Sequence, residues 1–431
     1  MSERTLEVDY LARVEGEGAL KVRIAGDRVE EVELRIFEPP RFFEALLVGR
    51  DLAEAPDITA RICGICPVAY QMSATHAMEA ALGISVGGSI RALRRFLYCG
   101  EWIESHALHI YLLHAPDFLG EPDAVALARK HPEVVRRGLA LKKVGNRILH
   151  VLGGREVHPI NVRVGGFYRA PSREELTALR PAIVRAIDHA EATVRWTSGL
   201  PFPEIEEEYE FVALGPTEEY PMNEGPVVSS RGLSIPAARF EEEFLESQVP
   251  YSHALQSTRR GGGAYLVGPL ARYALHASRL SPRARALARE VGLPSVVRNP
   301  YQSIVVRSLE LLYALEEALR ILDAYEPPEV PCVPCPPPGR PVEGMAVTEA
   351  PRGILYHRYR LAADGRIAEA KIVPPTSQNQ KRIEEDLRHL LGRSLALDDA
   401  ALTGACERAI RNHDPCISCA THFLEVDVDR R

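Results

Sequence analysis

Two pairs of cysteines, one near each end of the chain, constrain the fold of this sequence more than any other feature. They lie in Arg61-Ile-Cys-Gly-Ile-Cys-Pro67 and Asp414-Pro-Cys-Ile-Ser-Cys-Ala-Thr-His422, which makes them Cys63, Cys66, Cys416 and Cys419. Because two residues separate the cysteines of each pair, both sulfurs can reach one metal ion. About 350 residues lie between the pairs. If all four thiols share one site, the fold itself must bring the two ends of the chain together.

The residues around the first pair predict its local structure. Gly64 permits a tight turn between the cysteines, and Pro67 suits the first position of a helix because no amide donor is needed there. The run 68–82 predicts a helix that ends at Gly83. The first pair is therefore expected at a helix N-terminus, where the helix dipole favours thiolates over thiols.

Structural zinc and disulfides are the two simpler explanations of the cysteines. Zinc-binding pairs usually lie roughly 15–20 residues apart in a small module, far closer than in this chain. Disulfides need an oxidising compartment, and the chain begins Met-Ser-Glu-Arg with no apolar signal segment. Both explanations are therefore disfavoured.

Composition limits the class of protein further. The length of 431 residues by itself suggests two or three domains, and a hydrophobic content of 46% is ample for a large core. No run of about 20 apolar residues occurs, so no membrane span is expected. The formal net charge of -7 argues against a nucleic-acid-binding surface.

The two cysteine motifs resemble those of the large subunit of nickel–iron hydrogenases, RxCGxC near the N-terminus and DPCxxCxxH or R near the C-terminus. The resemblance implies that the first cysteine of each pair is a terminal ligand of nickel and that the second bridges nickel and iron. The terminal ligands are then Cys63 and Cys416, and the bridging ligands are Cys66 and Cys419. In the family, the iron also carries carbon monoxide and cyanide, which separate maturation proteins make.

The segment Arg13-Val-Glu-Gly-Glu-Gly18 contains a candidate general base. From the residues alone, Glu15 is expected to be a solvated turn residue. In the family, whose usual pattern is RxEGH, this Glu lies beside a terminal nickel thiolate and accepts a proton. The resemblance therefore implies that Cys416 and Glu15 handle the proton released from hydrogen. Glu17 stands where His is common, so the surroundings of this base are expected to differ.

Three further residues resemble the ligands of a magnesium ion that the family buries near its active site. The resemblance implies a carboxylate from Glu44, an imidazole from His422 and the backbone carbonyl of Ile372. A hard cation suits oxygen ligands of this kind. Arg352, in Pro351-Arg-Gly353, resembles the guanidinium that lies over the cyanide ligands of the iron. Its planar fork and permanent charge suit that task better than lysine would.

A third CxxC pair, Cys332 and Cys335, lies in the Pro-rich segment 326–341. Only two thiols are present there, and the surrounding prolines favour an extended surface connector over a metal site. Cys99 and Cys406 occur singly in helical patterns and are expected to be buried thiols.

The patterns together predict one mainly helical fold: a bundle of long helices with small peripheral β-sheets, in which the two CxxC pairs meet at a buried metal centre. Helices are expected over 68–82, 89–119, 121–149, 172–196 and 300–325, and hairpins over 19–36 and 356–373. His106 and His109, on one face of the second helix, are expected to pack in the core.

The predicted function is the reversible heterolytic cleavage of hydrogen to protons and electrons at a thiolate-bound nickel–iron centre. One alternative is a non-catalytic homologue such as the subunit of respiratory complex I that helps to form a quinone site. That relative lacks the thiol pairs, so the four cysteines argue against it. The other alternative is a structural zinc protein.

Electrons released at the centre need a partner, because the chain has no further cysteine cluster of iron–sulfur type. We expect an iron–sulfur small subunit that contacts the region around Cys63 and Cys66. The Ile-Ser between the C-terminal cysteines and the segment Thr376-Ser-Gln-Asn379 resemble cytoplasmic bidirectional members coupled to NAD(P) or F420. This resemblance implies a cytoplasmic location and diaphorase subunits that react with NAD(P) or F420.

The C-terminus resembles that of an unprocessed family precursor. An endopeptidase cuts such precursors after the last motif once nickel is in place, so maturation chaperones and this endopeptidase are expected partners. Residues 1–422 are then a single catalytic domain, and residues 423–431 are a removable extension.

Overall fold

The computed structural model describes residues 3–38, 42–215 and 218–421. Its helices are α1 Phe43–Leu47, α2 Ala55–Ala60, α3 Pro67–Leu82, α4 Gly88–Leu108, α5 Ala115–Leu119, α6 Ala124–Lys130, α7 Pro132–Gly153, α8 Arg173–Thr177, α9 Arg180–Ser198, α10 Phe240–Glu243, α11 Pro269–His276, α12 Pro282–Glu290, α13 Ser303–Asp323, α14 Pro375–Ser394, α15 Asp399–Asn412 and α16 Ile417–Ala420. Its strands are β1 Glu3–Val8, β2 Gly18–Ala25, β3 Arg28–Ile36, β4 Val162–Arg163, β5 Gly166–Phe167, β6 Val212–Leu214, β7 Val227–Ser229, β8 Ser234–Ile235, β9 Phe244–Gln248, β10 Leu255–Arg259, β11 Val342–Ala350, β12 Gly353–Leu361 and β13 Ile367–Val373.

The centre of the molecule is a bundle of long helices. Helix α4 packs against α7 and α13, and α13 packs in turn against α9. The contact between α4 and α7 is close because glycines face each other: a methyl group on Gly145 would lie 2.6 Å from the carbonyl oxygen of Gly100. Trp102 of α4 is completely buried at the middle of this bundle. The predicted long-helix bundle is confirmed.

The sheets are small and antiparallel, as predicted. Both predicted hairpins are present, and each belongs to a three-stranded sheet, β1–β2–β3 or β11–β12–β13. The strands β1 and β11 were not predicted. Strand β11 packs directly on α3, where a methyl group on Gly344 would lie 2.2 Å from the carbonyl oxygen of Ala77. This contact joins the second sheet to the helix that follows the first cysteine pair.

Three predicted helices are interrupted, and one of them, 172–196, is divided into α8 and α9. The helical region 89–119 continues from α4 through a π-helical turn, His109–His114, into α5. The predicted helix 121–149 is two helices, α6 and α7. Helix α6 ends at Lys130 and α7 begins at Pro132, because proline has no amide hydrogen to continue a helix but fits the first turn of a new one.

The two ends of the chain meet through backbone contacts. Glu15 and Cys416 form an isolated parallel bridge, and the amide of Ile417 donates to the carbonyl of Glu15 at 2.9 Å. Helix α14 packs on β3 of the N-terminal sheet and on α15. Within the described residues, none of the helices is both long enough and apolar enough to cross a membrane.

Candidate metal centre

The first cysteine pair lies where the sequence predicted it, at the start of α3. Cys66 is the residue before the helix, and Pro67 is its first residue. The helix ends at Gly83, which has a positive φ of 66°. In the turn before the helix, the sulfur of Cys63 accepts hydrogen bonds from the amides of Ile65 and Cys66 at 3.3 and 3.1 Å. These amides stabilise negative charge on the Cys63 sulfur.

A buried carboxylate on a neighbouring helix caps this helix N-terminus. Glu101 of α4 accepts hydrogen bonds from the amides of Val68 and Ala69 at 2.6 and 3.2 Å. It therefore satisfies donors that a serine or aspartate in the N-cap position would ordinarily satisfy. No local sequence pattern marks Glu101 as a cap, because the residue lies more than 30 positions from the amides that it binds.

The second cysteine pair follows α15. Asp414 takes a left-handed conformation with a φ of 53°, which turns the chain towards Cys416. The amide of Cys416 then donates to the hydroxyl of Thr376 at 3.0 Å. Cys419 lies in the short helix α16. Thr376, in the first turn of α14, thus anchors the C-terminal motif.

All four sulfurs gather in one buried cluster. They lie within 4.8 Å of one another, and every one of the four cysteines is at most 5% exposed. Between the pairs, the sulfurs of Cys63 and Cys416 are 3.6 Å apart and those of Cys66 and Cys419 are 3.9 Å apart. Sulfurs that bind one ion at about 2.3 Å lie about 3.3–3.8 Å from each other. The predicted meeting of the two CxxC pairs at a buried centre is confirmed.

The electrostatics of the cluster fit a bound cation. Burial opposes ionisation, yet hydrogen bonds from Cys416 and the other thiols hold the pKa of Cys63 well below its ordinary value. Burial and the neighbouring sulfurs raise the pKa of Cys416 well above its ordinary value, and burial raises the pKa of Cys419 to about 11. These surroundings therefore oppose the ionisation of Cys416 and Cys419. Ionising all four requires positive charge among them, and soft sulfur ligands suit transition metals.

Glu15 contacts the second pair directly. Its Oε2 atom accepts hydrogen bonds from the thiol of Cys416 at 3.0 Å and from the amide of Ser418 at 3.1 Å. The hydroxyl of Ser418 donates in turn to Glu38 at 2.8 Å. The interpretation of Glu15 as a solvated turn residue was wrong, because the parallel bridge to Cys416 brings this turn against the metal site.

Arg352 lies beside the cluster and is fully buried. Its Nε donates to the carbonyl of Asp414 at 2.7 Å, and its Nη2 donates to the carboxylate of Asp414 at 3.0 Å. Burial lowers the pKa of this guanidinium, but Asp414 and the nearby cysteine sulfurs more than compensate and hold it well above its ordinary value. The Nη1 atom is buried and makes no hydrogen bond to the described residues. A buried donor of this kind is a ready partner for an acceptor bound at the cluster.

Two of the three predicted magnesium ligands lie together. The amide of Ile372 donates to the Glu44 carboxylate at 2.7 Å, and both residues line a cavity of about 30 Å³ beside Cys419 and Thr421. A cavity of this size holds a water molecule or a small ion. The third predicted ligand, His422, lies outside the described residues.

The remaining cysteines occupy the surroundings that were predicted. Cys99 and Cys406 are completely buried thiols, and Cys332 and Cys335 are half-buried in an extended segment. That segment is tied to the hairpin β4–β5, since the amide of Val333 donates to the carbonyl of Gly165 at 2.9 Å. Among the described residues, groups of three or more potential metal ligands occur only at the four-cysteine cluster.

Comparison with known proteins gives the family. The family model for nickel-dependent hydrogenases matches residues 41–137 and 237–422, more than half of the chain and including all four cysteines. The chain is 34% identical over 426 residues to the alpha subunit of sulfhydrogenase 2 from Pyrococcus furiosus, an alignment that covers 98% of this chain and 100% of that protein. It is 29% identical over 462 residues to the vhc F420-non-reducing hydrogenase chain of Methanococcus voltae, with 97% and 95% covered.

A solved structure agrees with these relatives. A crystal structure of NAD+-reducing NiFe hydrogenase in the H2-reduced state superposes with a TM-score of 0.86 at 26% identity, covering 97% of this chain and 99% of that chain. The chain belongs to the nickel-dependent hydrogenase family. It is an oxidoreductase that acts on hydrogen, and all four cysteines of the buried cluster lie within the residues that the family model matches.

Proposed function

We propose that this chain is the catalytic subunit of a hydrogenase that cleaves hydrogen reversibly at a nickel–iron centre and passes the electrons to an iron–sulfur small subunit. The observation that supports the proposal best is the gathering of four thiols from both ends of the chain beside Glu15 and Arg352. By family resemblance, Cys63 and Cys416 are terminal ligands of nickel. In the same assignment, Cys66 and Cys419 would hold both nickel and iron.

A nickel–iron centre held by these cysteines would supply the redox-active Lewis acid for splitting hydrogen, and by family resemblance its iron would carry carbon monoxide and cyanide. The chain itself supplies the base. The Cys416 thiolate takes up the proton, and the Glu15 carboxylate, 3.0 Å away, takes it from the sulfur. This distance lies within the reach that general acid–base catalysis needs.

Arg352 is proposed to bind the diatomic ligands of the iron. Its Nε and Nη2 are held by Asp414, which leaves the buried Nη1 as a donor towards the cluster. A charged donor in a buried site makes a short and strong hydrogen bond to an anionic acceptor. The guanidinium is therefore well suited to orient cyanide on the iron.

A magnesium ion is proposed for the cavity beside Cys419. The Glu44 carboxylate supplies one ligand, and the backbone carbonyl of Ile372 and the imidazole of His422 supply two more by family resemblance. The cavity of about 30 Å³ that Glu44 and Ile372 line supports this placement.

The surface next to the first cysteine pair supports a partner there. The segment 157–160 lies next to the pair. The ring of His158 is 2.7 Å from the carbonyl oxygen of Ala60, and the carbonyl of Pro159 accepts a hydrogen bond from the side chain of Gln71 at 2.6 Å. Val157 and Ile160 in this segment are 49% and 51% exposed. Exposed apolar side chains beside the electron source fit a protein interface, and we place the small subunit on this face.

The remaining partners are proposed from family resemblance. Diaphorase subunits reacting with NAD(P) or F420 would carry the electrons onward in the cytoplasm. Maturation chaperones would deliver the metals, and an endopeptidase would remove residues 423–431, leaving 1–422 as one catalytic domain. The extension lies outside the described residues.

Metal analysis of purified, matured protein tests the proposed function. We expect about one nickel and one iron per chain, and loss of nickel in Cys416→Ser. Cys332→Ser is the matched control and is expected to retain both metals, because Cys332 lies outside the four-cysteine cluster. Zinc alone in the parent would support the structural zinc alternative. Matured protein without metal would support a non-catalytic homologue.

A further inference from the structure

The backbone of the segment that carries Arg352 accepts hydrogen bonds from a second buried guanidinium, that of Arg272. Arg272 lies in α11 and is completely buried. Its Nη1 donates to the carbonyl of Ala350 at 3.0 Å, and its Nη2 donates to the carbonyl of Pro351 at 2.8 Å. These are the two residues that precede Arg352 in the chain.

The other hydrogens of Arg272 bind two carboxylates. Nε and Nη2 form a bidentate pair with Glu310 of α13, both at 2.7 Å, and Nη1 donates to Glu349 of β11 at 2.8 Å. All five N–H groups of the guanidinium are therefore in use, the full complement of this side chain. The guanidinium also lies over the ring of Trp102, 4.3 Å from its centroid. Side chains from three elements fix its position.

The start of α11 contacts the same segment a second time. Gly268, the residue before α11, has a φ of 105°, and a methyl group there would lie 2.6 Å from the carbonyl oxygen of Arg352. The amide of Arg272 donates to the carbonyl of Gly268 at 2.9 Å. Helix α11 thus holds the backbone of the segment at Ala350, Pro351 and Arg352.

The guanidinium of Arg352 has fewer contacts with the described residues than the backbone of its segment has. Its side chain is oriented by Asp414 through two hydrogen bonds. Asp414 in turn lies 3.6 Å from Arg307. The direction in which the Nη1 atom of Arg352 points therefore depends on where its own backbone is held.

We propose that Arg272 is a positioning residue for the metal centre: by holding the carbonyls of Ala350 and Pro351, it sets the position of the Arg352 guanidinium at the cysteine cluster. The proposal rests on the proposed function for what Arg352 does there. The holding of the segment by Arg272 does not depend on that function.

The test compares Arg272→Lys with Arg94→Lys. Lysine keeps the charge but offers three donors from one nitrogen and cannot reach two carboxylates and two carbonyls at once. Arg94 is a matched control, because it is also buried on the bundle and forms a bidentate pair with Glu79 at 2.9 and 2.6 Å. Both substitutions should lower thermal stability, so a lower unfolding temperature alone does not decide the question.

Amide hydrogen exchange of the metal-free chain is the first measurement. We expect faster exchange in peptides that cover 350–354 and 412–416 in Arg272→Lys and parental exchange there in Arg94→Lys. Equal acceleration in both variants, or parental exchange in Arg272→Lys, would overturn the proposal. If Arg272→Lys does not fold, Glu349→Ala removes one side-chain acceptor of Arg272 and leaves the pair with Glu310 intact. Unchanged exchange at 350–354 in that variant would overturn the proposal equally.

The matured enzyme provides the second measurement. We expect Arg272→Lys to load nickel as the parent does, to shift the infrared bands of the diatomic ligands on iron and to lose about 10²-fold in turnover, the loss typical of a misplaced catalytic group. Arg94→Lys should keep the parental bands. Parental bands and turnover in nickel-loaded Arg272→Lys would overturn the proposal. Amide exchange could be faster in Arg272→Lys alone while the matured parent contains neither nickel nor iron. That result would support the positioning role of Arg272 and contradict the proposed function.

Discussion

The Oε2 atom of Glu15 lies 3.0 Å from the sulfur of Cys416, although the two residues are 401 positions apart in the sequence. Two further hydrogen bonds hold them together: the amide of Ser418 donates to the same carboxylate oxygen, and the amide of Ile417 donates to the carbonyl of Glu15. One turn of the N-terminal region is thereby locked against the C-terminal cysteine motif. The position of the candidate base at the metal site is thus fixed by backbone as well as by side chain.

Glu15→Gln tests whether this carboxylate carries the proton. Glutamine keeps the shape and can accept the same hydrogen bonds, but it cannot take up a proton, so metal content and assembly should be retained. We expect turnover and hydrogen–deuterium exchange by the matured enzyme to fall by roughly 10²–10⁴-fold. Glu17→Gln, at an exposed neighbouring position, should behave as the parent does. A nickel-loaded Glu15→Gln enzyme with near-parental turnover would show that the proton leaves by another route.

The partner surface can be tested with charge. Val157→Glu combined with Ile160→Glu places two carboxylates on the apolar segment beside the first cysteine pair. We expect the double variant to lose co-purification with an iron–sulfur small subunit, because burying unpaired charge at an interface is unfavourable. Metal content of the isolated chain should be unchanged. Leu397→Glu, at a position 42% exposed between α14 and α15, is the control and should retain the partner. Retention by the double variant would place the interface elsewhere.

The proposed removal of residues 423–431 can be tested by the mass of the active enzyme. Active, nickel-loaded enzyme should end at His422, because removal of residues 423–431 accompanies maturation in the proposed function. Intact-protein mass spectrometry of the active fraction measures this directly. A nickel-loaded, active species that retains Arg431 would contradict the prediction.

The close approach of α4 and α7 predicts opposite effects of two Gly→Ala substitutions. In Gly145→Ala the new methyl group would lie 2.6 Å from the carbonyl of Gly100, so overpacking should destabilise the fold by about 1–3 kcal/mol. Gly392 lies in α14, and a methyl group there would meet no atom of the described residues within 4 Å. Gly392→Ala should therefore stabilise by about 0.5–1 kcal/mol through helix propensity. Chemical denaturation of the metal-free chain measures both, and the same sign for both variants would contradict the packing argument.

The buried imidazole of His106 should make the stability of the fold depend on pH. Burial lowers the pKa of this imidazole from 6.5 to about 4, against the opposing effect of Glu310 at 3.0 Å. The unfolded chain therefore binds a proton at a higher pH than the folded chain does. The stability that the neutral His106 imidazole contributes is therefore present above pH 6.5, and it is lost as the pH falls from 6.5 towards 4.

The measurement is the unfolding temperature at about pH 7 and about pH 5, on either side of the ordinary histidine pKa. His106→Gln removes this titration, so the difference between the two temperatures should be smaller in the variant than in the parent. His150→Gln, at an exposed position, should leave the difference at the parental value. An equal difference in parent and His106→Gln would show that the buried imidazole does not contribute to the acid sensitivity.

Local sequence determined the parts of this protein that short-range physics controls. Helix α3 begins at Pro67 and ends at Gly83 as predicted, because proline fits a first helical turn and glycine readily takes the left-handed conformation that ends a helix. The hairpin of β2 and β3, expected over 19–36, was equally predictable. The four cysteines were also identified as candidate metal ligands from their spacing, since two residues between thiols suffice for one ion.

Tertiary structure alone decided which polar groups surround the cysteine cluster. The cap that Glu101 provides to α3 and the hydrogen bonds from Arg272 to the segment before Arg352 join residues far apart in sequence. Helical or strand periodicity shows which face of an element is buried, but it does not show which buried charge meets which. Glu15 illustrates the difference: its turn was visible in the sequence, and its contact with Cys416 exists only because folding closes the two ends of the chain on each other. Unpaired buried charges are costly, so packing of the whole fold selects these partners.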